Sequence, residues 1–405
     1  MSETTSPVTR RPWHRLMGAR DPHERSRTAT PLELLFDLAF VVAIARAAAE
    51  MHHAIAEEHA VAGILGYLLV FFAIWWAWMN FTWFASAYDC DDVLYRVLTL
   101  VQMAGVLLLA VGVPAVFRDF DISLVVAGYV VMRVPMIVQW LRAGREDPAR
   151  ARTCRTYALG IGVLQVLWIG LVFVPTPWAY VGLVVLIAGE LAVPTYAELR
   201  GTPTTWHPEH IAERYGLLTL IVLGEVILGV TNAISGAFTT GFSLPLLALA
   251  VGGLLLVFGI WWTYFLGGDE EGLTTLRIAL AWGYGHYFVF GAIGALGAGL
   301  EVAVDAEEHV AHVGSVGAAL SVAIPVAIVL VVLASLRALV WSRETRNPVL
   351  IGVLVVLLLA CGVLAGVVGV GVAVLLMGVV LAAGLATFIA LASRRAARAG
   401  VDAAS

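Results

Sequence analysis

Lysine does not occur in this 405-residue sequence; all 24 basic residues are arginine, a bias that reads as genome composition rather than chemistry. Charge of either sign is scarce at 13% of residues, about half of what soluble domains carry, which argues against a water-soluble globule. The three cysteines, Cys90, Cys154 and Cys361, are too few and too scattered for a disulfide framework or a tetrahedral thiolate site. No nucleotide-binding glycine loop, zinc-protease histidine pair or nucleophile elbow occurs, and the polar loops are too short to house a soluble catalytic domain. The sequence therefore points to no enzyme, no cofactor and no resident metal. Residues 1–29 hold six arginines and no apolar core, so they are expected to be a disordered, basic cytoplasmic arm and not a cleavable signal peptide.

What is there is apolar length. Hydrophobic residues make up 60% of the chain and its mean hydropathy is +0.90, the composition of an integral membrane protein whose first partner is the lipid bilayer. Apolar stretches predict about twelve helical spans, near residues 32–50, 60–86, 93–117, 122–141, 153–174, 178–197, 209–233, 243–266, 274–300, 314–337, 348–368 and 371–393. Residues 349–393 are one run too long for a single crossing, and the glycines at 366, 369 and 371 divide it. The fold class is thus an all-α, multi-pass transmembrane bundle.

Arginine placement sets the expected orientation. Arg142, Arg145, Arg150, Arg152 and Arg155, then Arg200, then Arg337, Arg343 and Arg346, and finally Arg394, Arg395 and Arg398 fall on one side, against essentially Arg118 on the other. By the positive-inside rule both termini are expected in the cytoplasm of a bacterial inner-membrane protein. These arginines suit anionic headgroups and do not call for nucleic acid.

The chain also matches itself. Leu68–Met79 aligns without a gap on Leu254–Phe265 through Ile74-Trp75-Trp76 and Ile260-Trp261-Trp262. Acids follow each copy, Asp89, Asp91 and Asp92 or Asp269, Glu270 and Glu271, and then comes Arg96 or Arg277. Six spans separate the copies, which predicts a parallel six-plus-six repeat: residues 30–200, then 201–393, then a cytoplasmic tail, 394–405.

The stretch from His207 to Glu225 is the most unusual. Pro208 can open a helix without losing a hydrogen bond, and the apolar run beyond Tyr215 is long enough to enter a bilayer. Glu225 falls about 25 Å along that helix, amid leucine, isoleucine, valine and glycine. An acid at such depth marks a functional site by default, and Glu225 is expected to be protonatable.

Thr30–Phe40, the tryptophan span ending in Tyr88–Asp92, Glu213-Arg214-Tyr215-Gly216 with Leu223-Gly224-Glu225, and Gly285-His286-Tyr287 together resemble the bacterial low temperature requirement A proteins. The resemblance covers roughly residues 30–393. It implies a polytopic inner-membrane protein; the family is named for growth in the cold and brings no reaction with it.

Seven residues are candidates for binding substrate or protons: Asp37, Arg133, Glu190, Glu213, Arg214, Glu225 and His286. Arg133 and Glu190 lie mid-span, and the cheapest arrangement has Arg133 meet Glu190, Asp37 or both, as a structural ion pair or as part of a transport path. Arg214 and Glu225 share a face three turns apart, so Glu225 needs another partner, for which His286 is the candidate by type. Glu33, three residues after Thr30, has the capping-box spacing. His207, His210 and Glu213 read as interfacial polarity sooner than as a metal seat. Two loops carry the same tetrapeptide, Ala56–His59 and Ala306–His309, with His52, His53 and His312 nearby; solvated loop caps are the plain reading, cation capture or acid sensing the sharper one. The expected function is a proton- or ion-coupled secondary transporter of a small solute; the alternative is a non-transporting membrane protein that supports the envelope or growth at low temperature.

Overall fold

The computed structural model describes residues 13–21, 24, 27–239, 243–267, 272–340 and 347–402. The acids Asp269, Glu270 and Glu271, which follow the second tryptophan motif, and Arg343 and Arg346 lie outside the described residues. Those described form twelve α-helices and no strand: α1 (Pro31–Ala56), α2 (Ala60–Tyr88), α3 (Val93–Asp119), α4 (Ser123–Glu146), α5 (Ala151–Leu171), α6 (Trp178–Arg200), α7 (Pro208–Thr239), α8 (Leu244–Tyr264), α9 (Leu276–Glu307), α10 (Ser315–Val340), α11 (Pro348–Val368) and α12 (Val370–Asp402).

Local chemistry sets several helix ends. Thr30 and Glu33 make the expected capping box: the Thr30 amide donates to Glu33 Oε2 at 2.8 Å and the Glu33 amide donates to Thr30 Oγ1 at 3.3 Å. Ser243, Thr275 and Asn347 each accept a bond from the amide three residues on, opening α8, α9 and α11. The long apolar run breaks at Gly369, whose φ of +87° is open to a residue without Cβ.

Eleven of these helices are long and apolar enough to cross a membrane. The exception is α1, whose 26 residues suffice in length but include Glu33, Asp37, Arg46 and Glu50. Glu33 and Asp37 are buried.

The contacts group the chain into two units. The first comprises residues 1–39, 77–112 and 122–207, the second residues 40–76, 113–121 and 208–405, so the division runs through α1, α2 and α3. In the first unit α4 packs on α5 and α5 on α6. The approach of α3 to α4 depends on small residues: a Cβ at Gly105 would meet the Gly128 carbonyl at 2.8 Å, and one at Gly128 would meet the Leu109 backbone. In the second unit α9 packs between α7 and α10, and α12 lies on α8 and α11. Buried Gly291, Gly294, Gly297 and Gly299 let the neighbours of α9 come close. The aligned tryptophans differ in surroundings: Trp75 and Trp76 are buried, whereas Trp261 and Trp262 are about half exposed.

Candidate functional site

The first unit buries an ion pair at mid-helix. Arg133 on α4 donates from Nη2 to Glu190 Oε2 on α6 at 2.6 Å, and both side chains are sealed from solvent, at 2% and 0% exposure. From α5, Trp168 Nε1 donates to Glu190 Oε1 at 3.2 Å and Gln165 Nε2 to the same oxygen at 3.4 Å. The Arg133 guanidinium sits 5.2 Å from the Tyr129 ring centroid, close enough for a cation–π contact. Of the two acids expected to meet Arg133, Glu190 does so. Asp37 accepts a bond from Trp78 Nε1 at 2.7 Å. Pairing of this quality is what makes two charges tolerable in low dielectric.

A second polar assembly in this unit ties down the segment before α1. Asp92, between α2 and α3, accepts from Arg142 Nη2 at 2.6 Å and Nη1 at 3.1 Å, from the Arg15 amide at 2.9 Å and from the Tyr95 amide at 2.8 Å. Arg142 Nε also donates to Glu146 at 3.2 Å, and Glu146 accepts from the Met17 amide. Burial alone would raise the Asp92 carboxyl, but the bonds from Arg142, Tyr95 and Arg15 carry it down to about 2. Nearby Asp89 is pushed up to about 6, chiefly by burial and then by Glu33, with Arg27 and Arg20 opposing. Arg27 donates to the carbonyls of Ala85 and Ser86, and His207 Nε2 engages the Glu24 carbonyl at 2.8 Å. Arg15, Met17, Glu24 and Arg27 are thus tied to helix ends by named bonds.

In the second unit the acids of α7 and α9 converge. Glu225 is half-buried, and its electrostatic neighbour is the Glu301 carboxylate. The packing agrees: a Cβ at Gly229, one turn beyond Glu225, would lie 3.6 Å from Glu301 Cγ. His52 on α1 then bridges two acids of α9, with Nδ1 3.5 Å from Glu301 Oε2 and Nε2 2.7 Å from Asp305 Oδ2. Glu225, Glu301, His52 and Asp305 form a string of titratable groups running from inside α7 to the end of α9. Beyond it, the amide of His312 donates to the Ala56 carbonyl at 2.9 Å and His312 Nδ1 meets Glu57 at 3.0 Å. The two tetrapeptide loops are therefore neighbours.

His286 has other company than the Glu225 expected for it. Its Nδ1–H donates to the Trp282 carbonyl at 2.8 Å, and Nε2 accepts from the Tyr264 hydroxyl at 3.1 Å. Rings of Tyr215, Trp282 and Phe290 enclose it with centroids 4.1 to 5.4 Å away. Both ring nitrogens are engaged, which fits a locking role between α8 and α9. Arg214 is fully buried on α7, Glu213 half-buried, and neither stands free.

Sequence reasoning missed Glu301 as the neighbour of Glu225, and Asp305 as the partner of His52, because the ninth span was expected to end at residue 300 whereas α9 continues to Glu307. The missed signal is the four-residue spacing of Glu301 and Asp305, one face of a helix. Gln165 and Trp168, three apart on α5, carried a similar signal for Glu190.

Apolar helices in this number, with polar groups paired at depth, define a multi-pass membrane protein. The family model of the bacterial low temperature requirement A protein (LtrA) matches residues 28–384, and the chain belongs to that family. It is also similar to a protein of Rhizobium meliloti (strain 1021) called uncharacterized protein RA0937, 27% identical over 249 residues, which are 59% of this chain and 58% of that one. The chain thus spans a little over half the length of that relative. Family and composition together are consistent with the bacterial inner membrane.

Proposed function

We propose that this protein is a proton-coupled carrier of a small solute, with Glu225 as the residue that binds and releases the coupling proton. The observation that carries the reading is the convergence of Glu225 with Glu301, His52 and Asp305. Two carboxylates that feel each other at membrane depth are costly when both are charged, which is why the coupling proton is assigned to Glu225. His52 and Asp305 continue the string toward the helix end, where Asp305 is a third exposed, giving a proton a stepwise route between water and the half-buried Glu225. In this reading both termini are cytoplasmic, the string opens on the opposite side, and the halves 30–200 and 201–393 are the parallel repeats.

The experiment uses the full chain in liposomes loaded with a pH-sensitive dye and exposed in turn to monocarboxylates, inorganic anions, amino acids and sugars. A solute-dependent dye response in the native protein, lost in Glu225→Gln at equal folded yield, supports the proposal. Absence of any response across the panel favours the non-transporting alternative, and an undiminished response in Glu225→Gln removes that residue from the mechanism.

A further inference from the structure

Around the buried ion pair of the first unit, polar atoms of opposite kind are left over, besides the Tyr129 hydroxyl, which can either donate or accept. Arg133 uses Nη2 on Glu190, while its Nε and Nη1 meet no acceptor among the described residues. Gln165 donates its Nε2 to Glu190, while its Oε1 receives no bond. All three residues are at least nine-tenths buried. Arg133 lies about 15 Å along α4, far from any loop that could satisfy it. A charged donor and a neutral acceptor left unused in one sealed place are expensive, and natural interiors seldom keep them idle.

We propose that the Arg133–Glu190 pair is a binding site for one small monovalent anion together with one proton. The incoming proton forms an O–H bond on Glu190, and the contact between Arg133 Nη2 and Glu190 Oε2 is released. The proton sits on Glu190 Oε1, the oxygen that Gln165 faces; the new hydroxyl donates to Gln165 Oε1, reached by rotation of that amide, while Trp168 Nε1–H goes on donating to the same oxygen. The freed guanidinium then presents its N–H groups to the anion, with the Tyr129 ring holding it in place. Charge fixes the stoichiometry. The pair is neutral at rest; an anion alone would leave the interior one charge negative and a proton alone one charge positive, and each is heavily penalised at this depth. Together they leave the site neutral, its donors and acceptors used. The groups facing Glu190 are the guanidinium of Arg133 and the phenol of Tyr129 from α4, and from α5 the non-titrating Gln165 and Trp168.

This inference stands apart from the carrier reading, since binding is an equilibrium property that a protein without transport could equally have. Binding without flux would overturn the carrier alone, and flux without binding would overturn this site alone.

The test is calorimetric titration of the purified full chain with chloride, nitrate and formate, each exchanged for gluconate at constant ionic strength. It is run at several pH values and in buffers of different ionisation heat, which together count protons. The native protein is expected to bind at least one of these anions with one proton taken up, its affinity falling about tenfold per pH unit while Glu190 is ionised in the free state. Glu190→Gln, which imitates the neutral acid, is expected to bind the same anion with no proton uptake and no pH slope. The neutral double variant Arg133→Gln with Glu190→Gln is expected to bind none. The proposal fails if the native protein binds without a pH slope, if the double variant binds as well as the native protein, or if the native protein binds no anion at acid pH. Should Glu190→Gln fold poorly, the native slope and proton count decide alone.

Discussion

Replacing Asp92 by Asn tests whether the segment before α1 is held as the hydrogen bonds imply. In the folded protein the Asp92 carboxyl is fully covered and carried down to about 2 by Arg142 and by the amides of Tyr95 and Arg15. Against an ordinary aspartate near 3.9 this is a displacement of roughly two units, or about 2 to 3 kcal/mol of preference for the ionised folded form. Because the folded value lies below the unfolded one, that stability is fully present above about pH 4 and is lost as the pH falls through about 2. At pH 7, Asp92→Asn should therefore lower the unfolding free energy in detergent by about 2 kcal/mol, and the gap between variant and native protein should narrow from pH 4 downward. Hydrogen exchange gives a local readout: the Arg15 amide bonds Asp92 directly, so the peptide covering residues 13–20 should lose protection in the variant. Unchanged exchange there, together with unchanged stability at pH 7, would refute the strap.

Gly128→Ala should cut the yield of folded protein, because the added methyl would meet the Gly105 carbonyl at 2.7 Å and the Leu109 backbone, while Gly170→Ala, with nothing within 4 Å, should be silent. Size-exclusion chromatography of the two variants checks this, and equal profiles would remove the close α3–α4 crossing from the account. For orientation, Arg152→Cys should resist a membrane-impermeant thiol reagent applied to intact cells, whereas His59→Cys should react, each compared with the unsubstituted protein. Labelling of position 152 from outside would reverse the assignment of both termini.

Much of the architecture was legible because membrane spans are written in composition. Apolar runs place helices with little help from tertiary structure, and the one break inside a continuous run fell at Gly369, where backbone freedom is needed. The Arg133–Glu190 pair was legible too, since charges at mid-span have few ways to be accommodated. What resisted reading was the contact between elements. Composition alone makes residues 1–29 a disordered basic arm, yet Asp92 and Glu146 accept from the amides of Arg15 and Met17, and Arg142 donates to the Arg15 carbonyl. Glu301 looked like the first residue of a loop because helices can outrun their apolar stretch by several residues, and its position beside Glu225 depends on how α7 packs on α9. His286 was drawn toward Glu225 by residue type alone, whereas aromatic packing and the Tyr264 hydroxyl already occupy it. The tryptophan repeat is plain in sequence, but the two copies differ in burial, so matching letters do not by themselves give matching environments.

The most direct test of the central claim is solute-driven proton movement in liposomes holding either the native protein or Glu225→Gln, reconstituted to equal folded density. The account predicts a dye response with at least one small solute in the native protein and its loss in the variant. A full response from the variant, or none from well-folded native protein with any solute of the panel, would contradict it.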